Sequence, residues 1–432
     1  MLNAVWVLLI VGALVCGALA GNLQEVANAS AHSAKKAVEL VIGLIGVMAF
    51  WLGLMRVLQR AGLVRTLTRW GRPLLVRLFP DVPPEHPAMG MILMNMSANV
   101  LGLGNAATPF GLKAMVELDK LNTKKGVATN AMALFLAINT SHLAILPTGI
   151  IALRTSLGSH SPGAIIATTL LATACSTMTA VLFAKLLCGL PIFAADRYSA
   201  TDAEAREVDL PVAPEEATPP APPAWMRIAI VFLATASGLS LVYAMSRLVE
   251  ADGDLVSALD TAVTQWTLVV LIVAFVLYGA FRGVKVFDCV VDGAKEAFQI
   301  AVKLVPYFIA LMVAIGMFRA SGAIDLMVRA LRPITAAVGF PPEALPMALL
   351  RPFSGKAAFA VAAETMEAHG ADSMIGFVVS TMQGSTDTTF YVVALYFGVV
   401  AVRHVRHTIL ACLAADIVGA LGAAWFCAWL LA

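Results

Sequence analysis

The amino-acid sequence predicts an all-α, polytopic integral membrane protein made of two inverted structural repeats with re-entrant hairpins and broken helices. Three observations predict this class: the composition, the long apolar runs and an internal repeat. Hydrophobic residues make up 60% of the 432 residues, charged residues make up 13%, and the mean hydropathy is +0.85. A membrane-spanning helix needs about 20 predominantly apolar residues, and several runs approach or meet that length: 4–21, 163–184, 228–245 and 263–281.

The charge and the cysteines argue against other classes of protein. The net charge of +2 is close to neutral, so the sequence predicts no nucleic-acid partner. The six cysteines form no Cys-x-x-Cys pair, and no residues have the spacing of a metal or nucleophilic site, so we expect neither an enzyme nor a bound metal. Residues 18–20 resemble a signal-peptide cleavage site, but no basic residue precedes the apolar run, so we expect an uncleaved first helix.

One stretch between the apolar runs is hydrophilic. Residues 195–223 are rich in acidic residues and end in a run of prolines. Such a composition cannot bury enough apolar surface to fold by itself. We therefore predict a membrane half over residues 1–194, an acidic, Pro-rich cytoplasmic linker over 195–224 and a second membrane half over 225–432.

Sequence matches on the two sides of this linker indicate an internal duplication. The matches keep their order, and the first two share one separation along the chain, which is expected for two copies of one unit. The matched pairs are 34–37 with 294–297, 72–73 with 332–333, 104–107 with 355–358, and Arg154 with Arg403.

The positive charges predict that the two halves cross the membrane in opposite directions. Short loops rich in Lys and Arg stay in the cytoplasm. Six arginines between 56 and 77 place the end of the second helix inside, whereas Arg282 and Lys285 place inside the start of its counterpart near 297–318. Inverted repeats with broken helices at the membrane midplane are typical of secondary transporters. The alternative is a duplicated scaffold that transports nothing.

The first half contains a polar segment within apolar sequence, at 94–109. Backbone groups must be satisfied in hydrocarbon, so a segment rich in Gly and Asn must be enclosed by protein or water, and we predict a re-entrant hairpin. A helix that begins near its end would direct a positive dipole end at an anionic group. The alternative is close helix packing with Asn as an interhelical link. The predicted substrate-binding residues of this half are Asn95, Ser97, Asn99, Asn105 and Thr108.

The corresponding segment of the second half, 351–358, contains two basic residues. A charge at membrane depth costs about 2.5–3.5 kcal/mol on insertion scales and is usually functional or paired. The alternative is an interfacial position from which both cations reach water. The predicted substrate-binding residues of this half, including the next interrupted helix, are Arg351, Ser354, Lys356, Gln383, Ser385 and Thr386.

A second interrupted helix follows each hairpin and places hydroxyls and one titratable group at mid-span. An unwound turn of this kind offers oxygens to a Na⁺, whereas a buried carboxylate or a His can carry a proton. Either Na⁺ or H⁺ is therefore a candidate coupling ion, and no other cofactor is expected. Asp416 and Lys113 are weaker candidates, because each has a structural alternative. The predicted ion-coupling residues are Asn139, Ser141, His142, Asp387 and Thr388.

These segments resemble two bacterial families. Residues 95–99 (NMSAN) with 102–111 (GLGNAATPFG) resemble the spore maturation protein A family, and 351–355 (RPFSG) with 384–391 (GSTDTTFY) resemble spore maturation protein B. The chain thus resembles a fusion of the two, in that order, apart from the linker. Both families are similar to the gate, or nucleoside recognition, domains of concentrative nucleoside transporters and of the ferrous iron transporter B family.

The resemblance implies a multi-pass protein of the bacterial cytoplasmic (inner) membrane with a gate domain in each half. The family also occurs in bacteria that form no spores, and the residues show no aromatic and carboxylate set that would select a nucleobase. We expect a transporter or gate that moves a small polar solute with an anionic group by ion-coupled alternating access. The alternative is a non-transporting scaffold that supports envelope or spore-cortex maturation. The expected partners are the lipid bilayer and the solute. The sequence does not decide between a monomer and a homo-oligomer.

Overall fold

Helices make up nearly all of the described chain. The structure, a computed structural model, describes residues 2–102, 104–141, 144–198, 222–252 and 266–431, and contains no β-strand within these ranges. The predicted all-α class is confirmed. His142, the side chain of Asn105 and most of the predicted linker lie outside the described residues.

The first half begins with two long apolar helices, continues with shorter ones and ends with a long apolar helix. A side-chain cap starts α6, where the Thr129 side chain accepts a hydrogen bond from Met132 N at 3.1 Å. The helices are α1 (Leu2–Ala20), α2 (Leu23–Arg60), α3 (Leu63–Leu78), α4 (Pro87–Val100), α5 (Gly104–Lys120), α6 (Asn130–Thr140), α7 (Thr148–Ser156) and α8 (Ile165–Cys188).

The second half repeats this series after two further helices. A left-handed glycine with φ 76° separates α2 from α3 at Gly62 and, in the second series, α11 from α12 at Gly322. The helices α2–α8 thus correspond in order to α11–α17. The second-half helices are α9 (Ala224–Asp252), α10 (Thr267–Phe281), α11 (Val286–Ala320), α12 (Ala323–Ala337), α13 (Leu345–Leu350), α14 (Gly355–His369), α15 (Met374–Ser385), α16 (Thr389–Val399) and α17 (Thr408–Leu430).

Several helices can cross a membrane. Among the described residues, α2, α8, α9 and α17 are long and apolar enough, and α11 makes a fifth if its two parts, which meet at 42°, form one span. Helix α9 is covered by little protein, and its large side chains, including Ile228 and Phe232, are exposed. A surface of this kind is compatible with lipid rather than water. The chain is therefore a multi-pass membrane protein, as predicted.

The corresponding helices α2 and α11 pack against each other in antiparallel fashion. Near one end, the Arg60 guanidinium lies 3.2 Å from the Asp292 carboxylate; near the other, a Cβ added to Gly316 would overlap Ser33. Between them, Gly293 lies so close to Gly53 that a Cβ on Gly293 would be 2.6 Å from the Gly53 Cα atom. The two glycines therefore permit contact between the two helix backbones.

Helices α8 and α17, the last of each series, also pair in antiparallel fashion. The Ser176 hydroxyl donates to the Ala415 carbonyl at 3.0 Å. One turn earlier on α8 and two turns later on α17, a Cβ on Gly422 would lie 3.6 Å from the Ala172 Cα atom. Small residues at this seam allow the two helices to approach closely.

Loops of the two halves dock on each other at opposite ends of the α8–α17 pair. At the start of α17, Arg403 N and His404 N donate to the Gly126 carbonyl at 2.9 and 3.0 Å. At the start of α8, the Arg154 guanidinium lies 2.7 Å from the Asp372 carboxylate and donates to the Ala371 carbonyl at 2.6 Å. The α5–α6 loop of the first half thus contacts the second half, and the corresponding α14–α15 loop of the second half contacts the first half.

We predict that Gly293→Ala destabilises the fold. The new Cβ would meet the backbone of Gly53, so α2 and α11 must separate, at a cost of about 1–3 kcal/mol in the free energy of unfolding. The matched control is Gly43→Ala on α2, where nothing lies within 4 Å of the added Cβ and the gain in helix propensity is up to about 1 kcal/mol. Thermal unfolding in detergent measures both; equal midpoints would contradict the prediction.

We predict that Arg154 and Arg403, which correspond in the repeat, differ in their effect on stability. Arg154 is 0% exposed, and its loss leaves the Asp372 carboxylate without its cation and the carbonyls of Ala371 and Ser161 without this donor, which costs on the order of 3 kcal/mol. Arg403 is exposed, so its replacement changes the free energy of unfolding by about 0.5 kcal/mol or less. Denaturation of Arg154→Met and Arg403→Met in the same detergent measures the free energy of unfolding of each variant. A similar loss of stability in both would contradict the prediction that the two arginines differ.

Candidate functional site

A cavity of about 270 Å³ lies where interrupted segments of both halves meet. The first half contributes the turn that leads into α7, and the second half contributes the start of α14 and the end of α15. The long helices α2 and α11 supply Met48 and Leu304. The lining residues are Met48, Gly102, Leu146, Pro147, Thr148, Gly149, Ile150, Leu304, Gly355, Lys356, Phe359, Gln383 and Gly384.

The wall of the cavity on the first-half side is shaped by backbone contact. Gly102 has φ +72°, and a Cβ there would lie 2.6 Å from the Leu146 carbonyl oxygen, so only glycine lets these two turns touch. Gly149 has nothing within 4 Å of the position of a Cβ. Thr148 and Gly149 are the first two residues of α7, which has no side-chain cap. Because Thr148 N already donates to the Leu146 carbonyl at 2.9 Å, Gly149 N is the backbone donor that the start of this helix offers at the cavity.

The electrostatic character of the cavity is positive. Lys356 is the only charged residue in its described lining, and its ammonium lies 4.3 Å from the centre of the Tyr307 ring. Lys356 stands at the start of α14, so a second helix N-terminus opens on the same space. Gln383 adds a hydrogen-bond acceptor at the cavity, since its Oε1 atom is buried without a hydrogen-bond partner in the described chain.

Arg351 is buried behind this wall rather than in it. Its side chain is 6% exposed, and Nη2 donates to the carbonyls of Gln383, at 3.1 Å, and of Thr386. These carbonyls end α15, where a cation offsets the negative end of the helix dipole. Arg351 therefore positions the end of α15, including Gln383, and does not line the cavity.

The asparagines of the first half satisfy one another. Asn99 Nδ2 donates to Asn139 Oδ1 at 2.8 Å, Asn139 Nδ2 donates to Asn95 Oδ1 at 2.9 Å, and Asn95 Nδ2 donates to the Ala107 carbonyl at 2.8 Å. All three side chains are buried, and none lines the cavity. This chain of bonds joins α4, α5 and α6 and favours the interhelical-link alternative for these residues.

The remaining predicted substrate-binding residues make local contacts. The Ser354 hydroxyl accepts from Ala357 N at 3.2 Å and caps α14, and the Ser97 hydroxyl lies 3.3 Å from that of Thr68. Ser385 and Thr386 donate to the Met382 carbonyl within their own helix turn. Thr108 lies on α5 away from the lining. Of the predicted set, the structure thus brings Lys356 and Gln383 to the cavity.

The predicted ion-coupling residues gather near the breaks after α6 and α15. Asp387 N donates to the Thr140 carbonyl at 2.7 Å, and the Asp387 carboxylate accepts from Thr388 N at 2.7 Å and from the Thr388 hydroxyl at 3.1 Å. The Ser141 hydroxyl lies 2.9 Å from that of Thr177 on α8. Asn139 belongs to the amide chain.

Two features of this region were missed or underrated at the level of sequence. The start of α7 lines the cavity, although only the Pro147-Thr148-Gly149 break signalled it. Asp416 on α17 is 7% exposed and accepts a hydrogen bond from the Thr389 hydroxyl at 2.7 Å, beside the α15–α16 break. Its position in the middle of an apolar helix was the available signal.

Comparisons with known proteins agree with the resemblance seen in the motifs. The family model Gate, described as nucleoside recognition, matches residues 41–187 and 301–403, more than half of the chain. Spore maturation protein A of Bacillus subtilis (strain 168) is 45% identical over 182 residues, which are 42% of this chain and 93% of that protein. Spore maturation protein B of the same organism is 41% identical over 150 residues, which are 35% of this chain and 84% of that protein.

No solved structure matches the chain. The two relatives are each covered almost completely, which is what a fusion of both predicts. The bounds predicted for the two halves and the linker stay a prediction. The chain belongs to the Gate (nucleoside recognition) family, and it combines in one polypeptide counterparts of spore maturation proteins A and B.

Proposed function

We propose that this membrane protein moves a small polar solute with an anionic group across the bacterial inner membrane. The observation that carries the proposal is the cavity between the interrupted segments of the two halves, with Lys356 and the starts of α7 and α14 around it. Two helix N-termini and an ammonium attract an anion. The volume of about 270 Å³ lies just below the range of about 300–1,000 Å³ for ligand pockets, which favours a small solute.

Alternating access of two inverted halves is the proposed mechanism. The corresponding helices α2 and α11 run antiparallel, as do α8 and α17, and this supports halves of opposite orientation. In such a protein one half rocks against the other around a fixed central site. The cavity would then open to each side of the membrane in turn.

The charges at the two ends of the α8–α17 pair support the orientation. Lys124 and Lys125, in the loop after α5, lie at the same end as Arg403 and Arg406, and the Arg406 guanidinium donates to the Ala128 carbonyl at 2.9 Å. Clusters of this kind favour the cytoplasmic side. The loops docked through Arg154 at the opposite end would then face outward.

Transport is proposed to be coupled to Na⁺ or H⁺ through the polar breaks after α6 and α15. Asp387, with its Thr388 donors, and the hydroxyl of Ser141 belong to this region. A catalytic role is not proposed. The competing function is a scaffold for envelope or spore-cortex maturation, and the names of the two relatives favour it; a scaffold needs no solute to cross the membrane.

We expect reporter fusions to place position 210 in the cytoplasm and positions 255 and 432 outside. The reason is that the basic loops after α2 and α10 and before α17 should be cytoplasmic, so the connection between α9 and α10 must be external. Paired cytoplasmic and periplasmic reporters measure this in living cells. A cytoplasmic position 255 would contradict the inverted arrangement.

We expect Lys356→Met to reduce retention of the anionic solute strongly at solute concentrations below saturation. Proteoliposomes with the full chain are incubated with a defined mixture of small carboxylates, amino acids, inorganic phosphate and sugars, and retained solutes are quantified by mass spectrometry. Loss of a charged hydrogen bond is worth about 1.5–3 kcal/mol, which lowers affinity about 10- to 100-fold.

The matched control is Lys35→Met, which removes an exposed Lys from α2 whose only described ion pair is with Glu39 in the next turn. It should retain solute as the unchanged protein does. Equal retention in protein-free and wild-type liposomes would favour the scaffold. Retention that is unchanged in Lys356→Met would exclude the cavity as the binding site.

A further inference from the structure

Asp416 is a buried carboxylate with an incomplete set of partners. Its Oδ2 atom accepts from the Thr389 hydroxyl at 2.7 Å, whereas Oδ1 is buried and has no hydrogen-bond partner among the described residues. No Lys, Arg or His of the described chain forms an ion pair with it. An ionised carboxylate normally accepts several hydrogen bonds or pairs with a cation, because burial of an uncompensated charge is costly.

The nearest described cation does not pair directly with Asp416. Arg351 is the nearby cation, and it interacts electrostatically with both Asp387 and Asp416. Its Nη2 atom is engaged by two backbone carbonyls, and its Nε atom has no partner in the described chain. Arg351 therefore gives Asp416 no direct ion pair within the described chain.

Among the described residues, the helices that pack on α17 carry one charged side chain, the exposed Lys185, nine residues along α8 from the Ser176 that bonds to Ala415. Helices α6 and α15 contain no titratable residue. Helix α8 places Cys175 near the level of Asp416, helix α16 carries Tyr391 and Tyr396, and α17 itself carries Cys412. Among the described residues, these neutral groups cannot neutralise an ionised Asp416, which favours an added proton or cation at this carboxylate.

Asp387 and Asp416 differ in how well they support the ionised state. The Asp387 carboxylate accepts two hydrogen bonds from Thr388, at 2.7 and 3.1 Å, and is only partly buried. Such bonds favour a carboxylate. Asp416 has a single bond and deeper burial, which favour the neutral acid.

We propose that Asp416, rather than Asp387, binds the coupling proton. This inference rests on the proposed transport function and replaces its open choice of ion with H⁺. A proton from one side of the membrane adds to a carboxylate oxygen and forms the O–H bond of the acid. The same bond breaks when the proton leaves to the other side.

The position of Asp416 connects its protonation to the cavity. Thr389, its partner, is the first residue of α16, and one turn along α17 a Cβ on Gly419 would lie 2.6 Å from Thr386 Cγ2. Thr386 and Gln383 are the two residues whose carbonyls Arg351 holds. A neutral Asp416 accepts less strongly from Thr389, so protonation loosens the segment that carries Gln383 at the cavity.

Infrared difference spectroscopy of the reconstituted full chain tests the protonation. Spectra of the unchanged protein, Asp416→Asn, Asp387→Asn and Asp416→Glu are compared between about pH 5 and about pH 9, above the value of about 3.9 for an unperturbed aspartate. We expect the carbonyl band of a protonated carboxyl group near neutral pH, absent in Asp416→Asn, retained in Asp387→Asn and shifted in Asp416→Glu. Absence of the band near neutral pH in the unchanged protein, or its loss on addition of Na⁺ at fixed pH, would overturn the proposal.

A transport measurement tests the coupling. In the proteoliposome mixture assay, Asp416→Asn should lose accumulation driven by a pH gradient and keep downhill exchange of the same solute, while the control Asp325→Asn, which removes an exposed carboxylate from α12, should keep both. Accumulation by Asp416→Asn at the level of the unchanged protein would overturn the proposal. If the unchanged protein moves no solute, the proposed function fails and coupling with it, while the infrared band still decides whether Asp416 holds a proton.

Discussion

The constraint on which this structure depends is that every backbone polar group within a bilayer must find a partner inside the protein. The helices that follow α3 and α12 are broken, so their ends present unpaired N–H and C=O groups. Backbone groups at one break form hydrogen bonds with backbone groups at another. Ile145 N donates to the Val100 carbonyl at 2.9 Å, Phe390 N donates to the Pro352 carbonyl at 2.9 Å, and Asp387 N donates to the Thr140 carbonyl at 2.7 Å. The last of these bonds joins the two halves, so neither half can satisfy its breaks alone.

The two halves meet this constraint with different side chains. In the first half, Asn95, Asn99 and Asn139 form a chain of neutral amides joined by hydrogen bonds. In the second, the buried cation Arg351 holds the carbonyls at the end of α15. A chain of amides adds rigidity without net charge, whereas a buried cation requires a negative charge nearby. Asp387, just after the end of α15, is the first candidate for that charge.

The class, the order of helices and the positions of the breaks could be predicted from the sequence, because apolar runs, Gly and Pro report local structure directly. The contacts could not, because spacing along the chain does not give the direction of a side chain. Arg351 and Lys356 are five positions apart, yet one is folded onto α15 and the other lines the cavity. Arg154 and Arg403 correspond in the repeat, but only Arg154 is buried.

Comparison of the two repeats also shows why the positive charge at the cavity comes from the second half. In the alignment of 104–107 with 355–358, Lys356 corresponds to Asn105, and Arg351 corresponds to Val100. The first half therefore contributes neutral backbone at the start of α7, and the second half contributes the ammonium. If the halves rock against each other, a solute held by Lys356 stays with the second half while an uncharged surface moves over it. Moving that surface desolvates no charge, which keeps the barrier between the two access states low.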